Sequence, residues 1–353
     1  MGVVSLWLTD FRCFEAVEFS PERGVTVIRG ENGTGKTSLL EGVGYLATMR
    51  SFRGANRESM VRRGADRSIV RGEVDYDGRP VLIEAELPLR RPGRIQANRQ
   101  PVRRIADLGG ALRTSVFSPE DLELVQGPPA GRREFLDSCL TGIDVTVEPV
   151  VSEVERILRQ RGALLRQAHG QASEVEASLD VWDERLAAAG TALAEARERL
   201  VGELSEPVAD AYRYLAGKDC GLTLSYERSW AGGLADALAA GRAEDLRQQT
   251  TNRGPHRDEL VIFLNAMPAR SQASQGEQRS AALALRLAFH ELATARFGVP
   301  PVLLLDDVFS ELDPKRAGLL AERLPPGQVL LASAVDPPAA LAGNVVNMQD
   351  LVG

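Results

Sequence analysis

The chain has 353 residues, 44% of them hydrophobic and 26% charged, with a formal net charge of −7, enough for one large or two moderate domains around a real core. No apolar run approaches the ~20 residues of a membrane span, and the opening MGVVSLWLTDFRCFE lacks the basic stretch, apolar run and cleavage site of a secretory leader. Cys13, Cys139 and Cys220 are odd in number and widely spaced, which argues against a disulfide framework or a zinc site and leaves a cytoplasmic protein as the expectation.

In chain order, residues 3–20 alternate apolar and polar and predict two strands joined by a turn. GVTVIRG (24–30) is a short apolar strand entering a glycine-rich loop, and KTSLLEGVGYLATM (36–49) has helical spacing. The stretch from Arg50 to Arg104 carries 14 arginines against 7 acidic residues, so the remainder of the chain is strongly acidic. Such a segment is either a nucleic-acid surface or a well-solvated face whose charges balance in three dimensions. Residues 68–87 predict a hairpin with Asp77-Gly78 at its turn. RTSVFSPEDLELV (113–125) is strand-like and ends at Gly127-Pro128-Pro129.

From about 130 to 216 the strand signal vanishes. Between Pro149 and Pro207, Leu, Val and Ala recur three or four apart while Glu and Arg fill the other faces. Glycines at 162, 170, 190 and 202 predict shorter helices or one antiparallel pair, not an extended coiled coil. Strand text returns at 222–227 and 258–265, then in PVLLLDDVF and GQVLLASAV. This is α/β text interrupted by a helical insertion. The boundaries it predicts are a first part at 1–128, the insertion at 129–220 and a last part at 221–353.

Gly30-Glu31-Asn32-Gly33-Thr34-Gly35-Lys36-Thr37 fits G-x-x-x-x-G-K-[ST], with a strand before it and a helix after it. Glycines let backbone N–H groups wrap a nucleotide's phosphates, and the helix N-terminus adds its positive end. Lys36 is placed to reach the outer phosphates and Thr37 to ligate Mg²⁺, so ATP with Mg²⁺ is the expected ligand. The apolar run Pro301–Leu305 ends in Asp306-Asp307, as a buried parallel strand does when it delivers carboxylates to the ligand edge of a sheet. Asp306 is the candidate Mg²⁺ ligand and Asp307 the candidate base for the attacking water; a plain loop start or helix cap is the alternative. Asp313 and Pro314 predict a further helix start.

Ser274-Gln275-Gly276-Glu277-Gln278, polar and small, precedes the long apolar helix ALALRLAFHELA. Together with the loop at 30–37, LLLDD and Ser310-Glu311-Leu312-Asp313, it resembles the ATP-binding-cassette head of the SMC/Rad50-like group. That resemblance implies an ABC-type P-loop ATPase head with a mixed β-sheet and an α-helical insertion domain. It also implies that Ser274, Gln275, Gly276 and Glu277 cap the γ-phosphate held by a second copy, so that ATP binding makes a homodimer. Ser310, Glu311 and Asp313 become the loop after the acidic strand.

Within that group the chain is similar to the RecF family over nearly its whole length. The residues that carry this are Leu8–Arg12, Ser51-Phe52-Arg53, FSPEDL (117–122), Gly127-Pro128-Pro129 with RREFLD (132–137), and GPHRD (254–258). The likeness implies a weak DNA-dependent ATPase of bacterial recombinational repair that closes on gapped duplex or single/double-strand junctions and releases them by slow hydrolysis. It further implies RecO- and RecR-type partners in loading RecA, and no membrane.

Three features depart from the cassette pattern or stay open. Asp307 stands where a glutamate is usual, which suits slow, switch-like turnover, and LLASAVDPP has no histidine to meet a γ-phosphate. Gln126 is the nearest candidate for the glutamine that contacts Mg²⁺. For DNA, the likeness points to Arg53, Arg57, Arg62 and Arg63, with phosphate-dominated, salt-dependent binding. His169 reads as a surface residue and His290 as a packed one, while His256 and Arg257 either approach ligand or shape a loop. An ATP-gated scaffold with negligible turnover, or a transporter ATPase subunit, are the other function classes this sequence admits.

Overall fold

In the computed structural model the described residues are 1–102, 105–108, 110–167, 172–217, 221–338, 341 and 343–351, without the side chains of 105, 106, 172–176 and 311. His169 and Cys220 lie outside them. The chain divides into two compact units, one of residues 1–121, 214–217 and 286–353, the other of 122–213 and 218–285.

The first unit opens with β1 (Gly2–Phe11), β2 (Phe14–Phe19), β3 (Val25–Arg29) and helix α1 (Lys36–Thr48), followed by the single-turn α2 (Arg57–Met60). β4 (Arg67–Tyr76) and β5 (Arg79–Pro88) form the expected hairpin, with Asp77 and Gly78 both at positive φ in its turn. β6 (Arg94–Ala97) and β7 (Gln100–Val102) extend it, giving a six-stranded sheet in the order β2-β1-β4-β5-β6-β7, and β8 (Thr114–Phe117) belongs to another sheet.

The second unit holds α3 (Glu123–Gln126), α4 (Pro129–Ile143), α5 (Glu148–Gln167) and the 45-residue α6 (Ala172–Ala216), whose last residues reach the first unit's segment. β9 (Leu222–Glu227), α7 (Leu234–Gln248), β10 (Glu259–Leu264), β11 (Met267–Pro268) and α8 (Ala269–Gln272) follow, with a three-stranded antiparallel sheet ordered β11-β10-β9. α9 (Gln275–Phe297) starts in this unit and ends in the first.

One sequence expectation is met here and another changes. Of the two helical arrangements expected, the antiparallel pair is the one found, with Arg161 of α5 on Asp183 of α6 and Arg185 of α6 on Glu153 of α5, while Gly190 and Gly202 lie inside α6 without breaking it. A Cβ on Gly190 would come within 2.8 Å of Leu234 and 3.0 Å of Pro255, so this glycine serves a close approach rather than a helix end. Beyond Pro207, Val208, Ala211, Tyr212 and Leu215 are all buried, and that packing outweighs the hydrogen bond the proline forfeits. The insertion expected at 129–220 is also part of a larger body, because residues 221–285 pack with it instead of with the last part of the chain.

The first unit resumes with β12 (Val302–Asp306), α10 (Pro314–Glu322), β13 (Val329–Ser333), β14 (Asn344–Asn347) and α11 (Met348–Leu351). These complete a five-stranded, all-parallel sheet ordered β14-β3-β13-β12-β8. All five residues of both β12 and β13 are buried, as an interior parallel strand requires. α1 packs against strands of both sheets, with Leu39, Leu40, Val43 and Leu46 fully buried in the core they share. Gly42 makes that possible: a Cβ there would lie 2.7 Å from Leu8.

Candidate nucleotide site

β3 and β12 are both bonded to β13 in parallel, so their C-terminal ends lie on the same sheet edge. The chain leaves β3 into residues 30–35, turns at Gly33 (φ 83°) and Gly35 (φ 103°), and enters α1 at Lys36. No side chain caps α1, which leaves the first-turn N–H groups directed at the loop. A Cβ on Gly35 would meet the Phe14 ring at 2.5 Å and Cys13 Sγ at 2.8 Å, so only glycine fits. Thr34 braces the loop by donating its hydroxyl to the Glu31 carbonyl at 2.8 Å.

Lys36 is buried and donates its Nζ to the carbonyls of Gly30 (2.8 Å) and Glu31 (2.9 Å). Those two carbonyls hold the ammonium against the loop. From the next position, Thr37 donates its hydroxyl to Asp306 Oδ1 at 2.8 Å, joining residues 269 positions apart in sequence. Asp306 is 4% exposed, and burial pushes its carboxyl up to about 6 despite the Thr37 bond. A buried carboxylate short of positive charge, beside a hydroxyl, is a hard-oxygen donor set that suits Mg²⁺ with water and phosphate as its other ligands.

Asp307 follows in the left-handed region (φ 49°), unusual for a non-glycine residue and a form of strain that recurs at active sites. Its N–H bonds the Ala332 carbonyl at 2.9 Å, which ties the turn to β13. Ser310 donates its hydroxyl to the Asp307 carbonyl at 2.7 Å, and Asp313 caps α10 through the Arg316 N–H at 3.0 Å. In the same unit Asp121 of the FSPEDL stretch accepts from the Ser118 N–H and from the Arg286 guanidinium at 2.6 and 3.0 Å.

The arginines expected to meet DNA divide into two kinds. Arg57 donates to the carbonyls of Pro88 and Arg91, and Arg62 pairs with Asp10 at 2.7 Å, so both brace the fold. Arg53 and Arg63 are exposed. The Arg53 charge is close enough to Asp306 to favour its ionised form.

In the second unit, Ser274 opens α9 with a reciprocal cap. Its N–H (3.0 Å) and hydroxyl (2.9 Å) both donate to Glu277 Oε2, and Glu277 N–H returns a bond to Ser274 Oγ at 3.4 Å. Gln126, expected as a metal contact, donates its amide to Gln278 Oε1 at 2.5 Å, and Gln278 in turn donates to the carbonyls of Ala269 and Arg270. The RREFLD and GPHRD stretches build a framework. Arg132 bridges to Glu259, Arg133 donates to the Asp258 carbonyl, and Arg197 grips Asp137 in a fork at 2.7 Å while donating to the Pro255 carbonyl. His256 Nε2–H and Arg257 Nε both donate to the Thr251 carbonyl, so these two residues shape the 250–257 loop. Burial lowers His256 to about 4, as it does His290, which is packed as expected.

The comparisons agree with this architecture. The RecF/RecN/SMC N-terminal-domain model matches residues 3–332. The DNA replication and repair protein RecF of Streptomyces avermitilis is 44% identical over 362 residues, covering 97% of this chain and 96% of that protein. Two solved structures of the recombination mediator protein RecF of the RecFOR pathway superpose closely. The one with ATPrS has a TM-score of 0.89 at 27% identity, covering 98% of this chain and 95% of the other. The one with ATP has a TM-score of 0.88 at 28% identity, covering 96% and 93%. With a phosphate-binding loop joined to an acidic strand end, and relatives of this identity across almost the entire length, the chain belongs to the RecF family of DNA replication and repair proteins.

Proposed function

We propose that this chain binds Mg²⁺-ATP on the 30–37 loop, dimerises with a second copy through the Ser274–Glu277 segment, and closes on gapped or junction DNA. Slow hydrolysis then resets it, and RecO- and RecR-type proteins use the DNA-bound form in loading RecA in the bacterial cytoplasm. The observation that carries the reading is the Thr37–Asp306 bond, which brings the glycine-rich loop and the acidic strand end together, as an Mg²⁺-nucleotide site would require. Lys36 would neutralise the β- and γ-phosphates, and the free N–H groups at the start of α1 would hold their oxygens. Thr37 and Asp306 would hold the cation, which draws charge off the γ-phosphate. Asp307, at the turn beyond β12, is the group to orient and deprotonate water. Its shorter reach than a glutamate's supports low turnover, and an ATP-gated scaffold is the limiting case of that reading.

The test is the mass of the protein in solution with and without Mg²⁺-ATP, for the wild type, Lys36→Arg and Ser274→Arg. The wild type should double its mass only with nucleotide, Lys36→Arg should bind ATP weakly, and Ser274→Arg should bind ATP yet stay monomeric. A Ser274→Arg protein that still dimerises, or a wild-type mass indifferent to ATP, would sink the shared-site mechanism.

A further inference from the structure

Glu41 is wholly buried on α1, on a helix otherwise packed through Leu39, Leu40 and Val43. Arg12 holds it in a fork, Nε to Oε2 and Nη2 to Oε1, both at 2.6 Å, and Ser51 donates its hydroxyl to the same Oε1. A buried ion pair of this kind about breaks even against apolar packing, so stability alone gives little reason for it. What it does fix is geometry, because the planar guanidinium fork admits one arrangement.

The two partners carry the arginine segment. Ser51 Oγ accepts the Arg53 N–H at 3.1 Å, so the hydroxyl that reaches Glu41 also sets the turn bearing Arg53. Arg12 donates its Nη1 to the Ser59 carbonyl and its N–H to the Met60 carbonyl, both at 2.8 Å. Asp10, two residues earlier, takes both the Arg62 N–H (2.8 Å) and its guanidinium (2.7 Å). The stretch that bears Arg53, Arg57, Arg62 and Arg63 is thus hung on Ser51 and on the β1–β2 turn, and both meet at one carboxylate. That carboxylate stands four residues after Thr37, one helical turn along the same face of α1. Thr37 is the residue that touches Asp306 at the nucleotide edge.

We infer that Glu41 is a positioning residue that couples nucleotide at the phosphate loop to the DNA affinity of the 53–63 arginines. This rests on the reading that the chain binds both ligands. Phosphate and cation held at Lys36 and Thr37 act on the same helix that bears Glu41, and the Glu41 fork passes any change there to Arg12 and Ser51. Coupling of this kind is reciprocal: the factor by which ATP tightens DNA must equal the factor by which DNA tightens ATP.

The experiment closes that box with a non-hydrolysable ATP analogue and a fluorescent gapped duplex. Each Kd is measured with and without the other ligand for the wild type, Glu41→Gln, Ser51→Ala and, as a control, the exposed Glu58→Gln. The wild type and Glu58→Gln should show a coupling factor of about tenfold, equal from both sides. Glu41→Gln and Ser51→Ala should bring the factor to within about twofold of unity, while each ligand alone binds within about threefold of wild type. Ser51→Ala loses only one hydroxyl, so it tests the idea even if Glu41→Gln folds poorly. A wild-type coupling factor in Ser51→Ala overturns the inference, and so does loss of both single-ligand affinities, which marks a merely structural role. An uncoupled wild type instead overturns the reading beneath it.

Discussion

Asp306→Asn should make this protein more stable and catalytically dead. The carboxyl sits at about 6 because burial disfavours its charged form, against 3.8 for the free side chain. A folded-state pKa above the unfolded one means that the native state holds the extra proton between those values. Stability is therefore greatest below about pH 4 with respect to this group and is lost as pH rises through about 6. Two pKa units correspond to about 3 kcal/mol of strain carried at pH 7–8, and at 4% exposure little of that is screened away. Asparagine is isosteric, keeps an oxygen for the Thr37 hydroxyl and carries no charge. If the first unit melts cooperatively, relief of about 2–3 kcal/mol raises its Tm by roughly 5–10 °C. The assay is thermal melting in EDTA without nucleotide, wild type beside Asp306→Asn, from pH 5 to pH 8. The Tm gap should already be about half its full size at pH 5, be nearly complete at pH 6 and stay level to pH 8. Adding Mg²⁺-ATP should then stabilise the wild type more than the variant. A variant no more stable than wild type at pH 8, or a gap that ignores pH, would refute the claim that Asp306 is an uncompensated buried charge.

Arg161→Met should unfold the helical unit. Arg161 is fully buried between Asp183 (2.6 Å) and Asp245 (2.8 Å), so its loss leaves buried Asp245 without a cation and Asp183 with Arg242 alone, at a cost of about 3–5 kcal/mol; limited proteolysis should cut α5–α7 first, while unchanged resistance would count against it. Arg63→Ala should leave Tm unchanged, weaken gapped-duplex binding and lower the salt slope by about one. Arg62→Ala breaks the pair with Asp10 and should lower Tm as well, so a pair of variants with indistinguishable melts would erase the distinction drawn between bracing and free arginines.

What was legible in the sequence was what short-range rules dictate. The phosphate loop needs left-handed turns at Gly33 and Gly35 followed by a helix start, and the chain spells that in eight residues. The all-apolar LLL run before Asp306 could be little other than a strand with neighbours on both sides, and it pairs with β13 and β8. The helical stretch was legible as the antiparallel pair α5–α6 but not in its uninterrupted length, because a glycine's helix penalty of about 1 kcal/mol is small beside burial: Gly190 sits where Leu234 and Pro255 press close. The Gln126–Gln278 bond was not legible for a similar reason, since nothing local announces a partner 152 positions away.

Charge was the least legible quantity. Counting gave a basic excess between Arg50 and Arg104, but a sum over sequence does not separate a cation facing solvent from one already spent on a carboxylate or carbonyl. Arg57, Arg62, Arg67 and Arg91 each bond a carboxylate or carbonyl of the fold, the last two sharing Glu86, although Arg57, Arg67 and Arg91 remain exposed. Within the four arginines first assigned to DNA, that leaves Arg53 and Arg63 as the exposed pair without such a brace. The paired ones are not idle for binding. Arg57 and Arg62 help to fix the backbone of this segment, and Arg12 ties it to Glu41 by way of the Ser59 and Met60 carbonyls. If Glu41 sets how Arg53 and Arg63 stand, what the 30–37 loop holds can switch the affinity of that surface for an anionic polymer with no change in net charge.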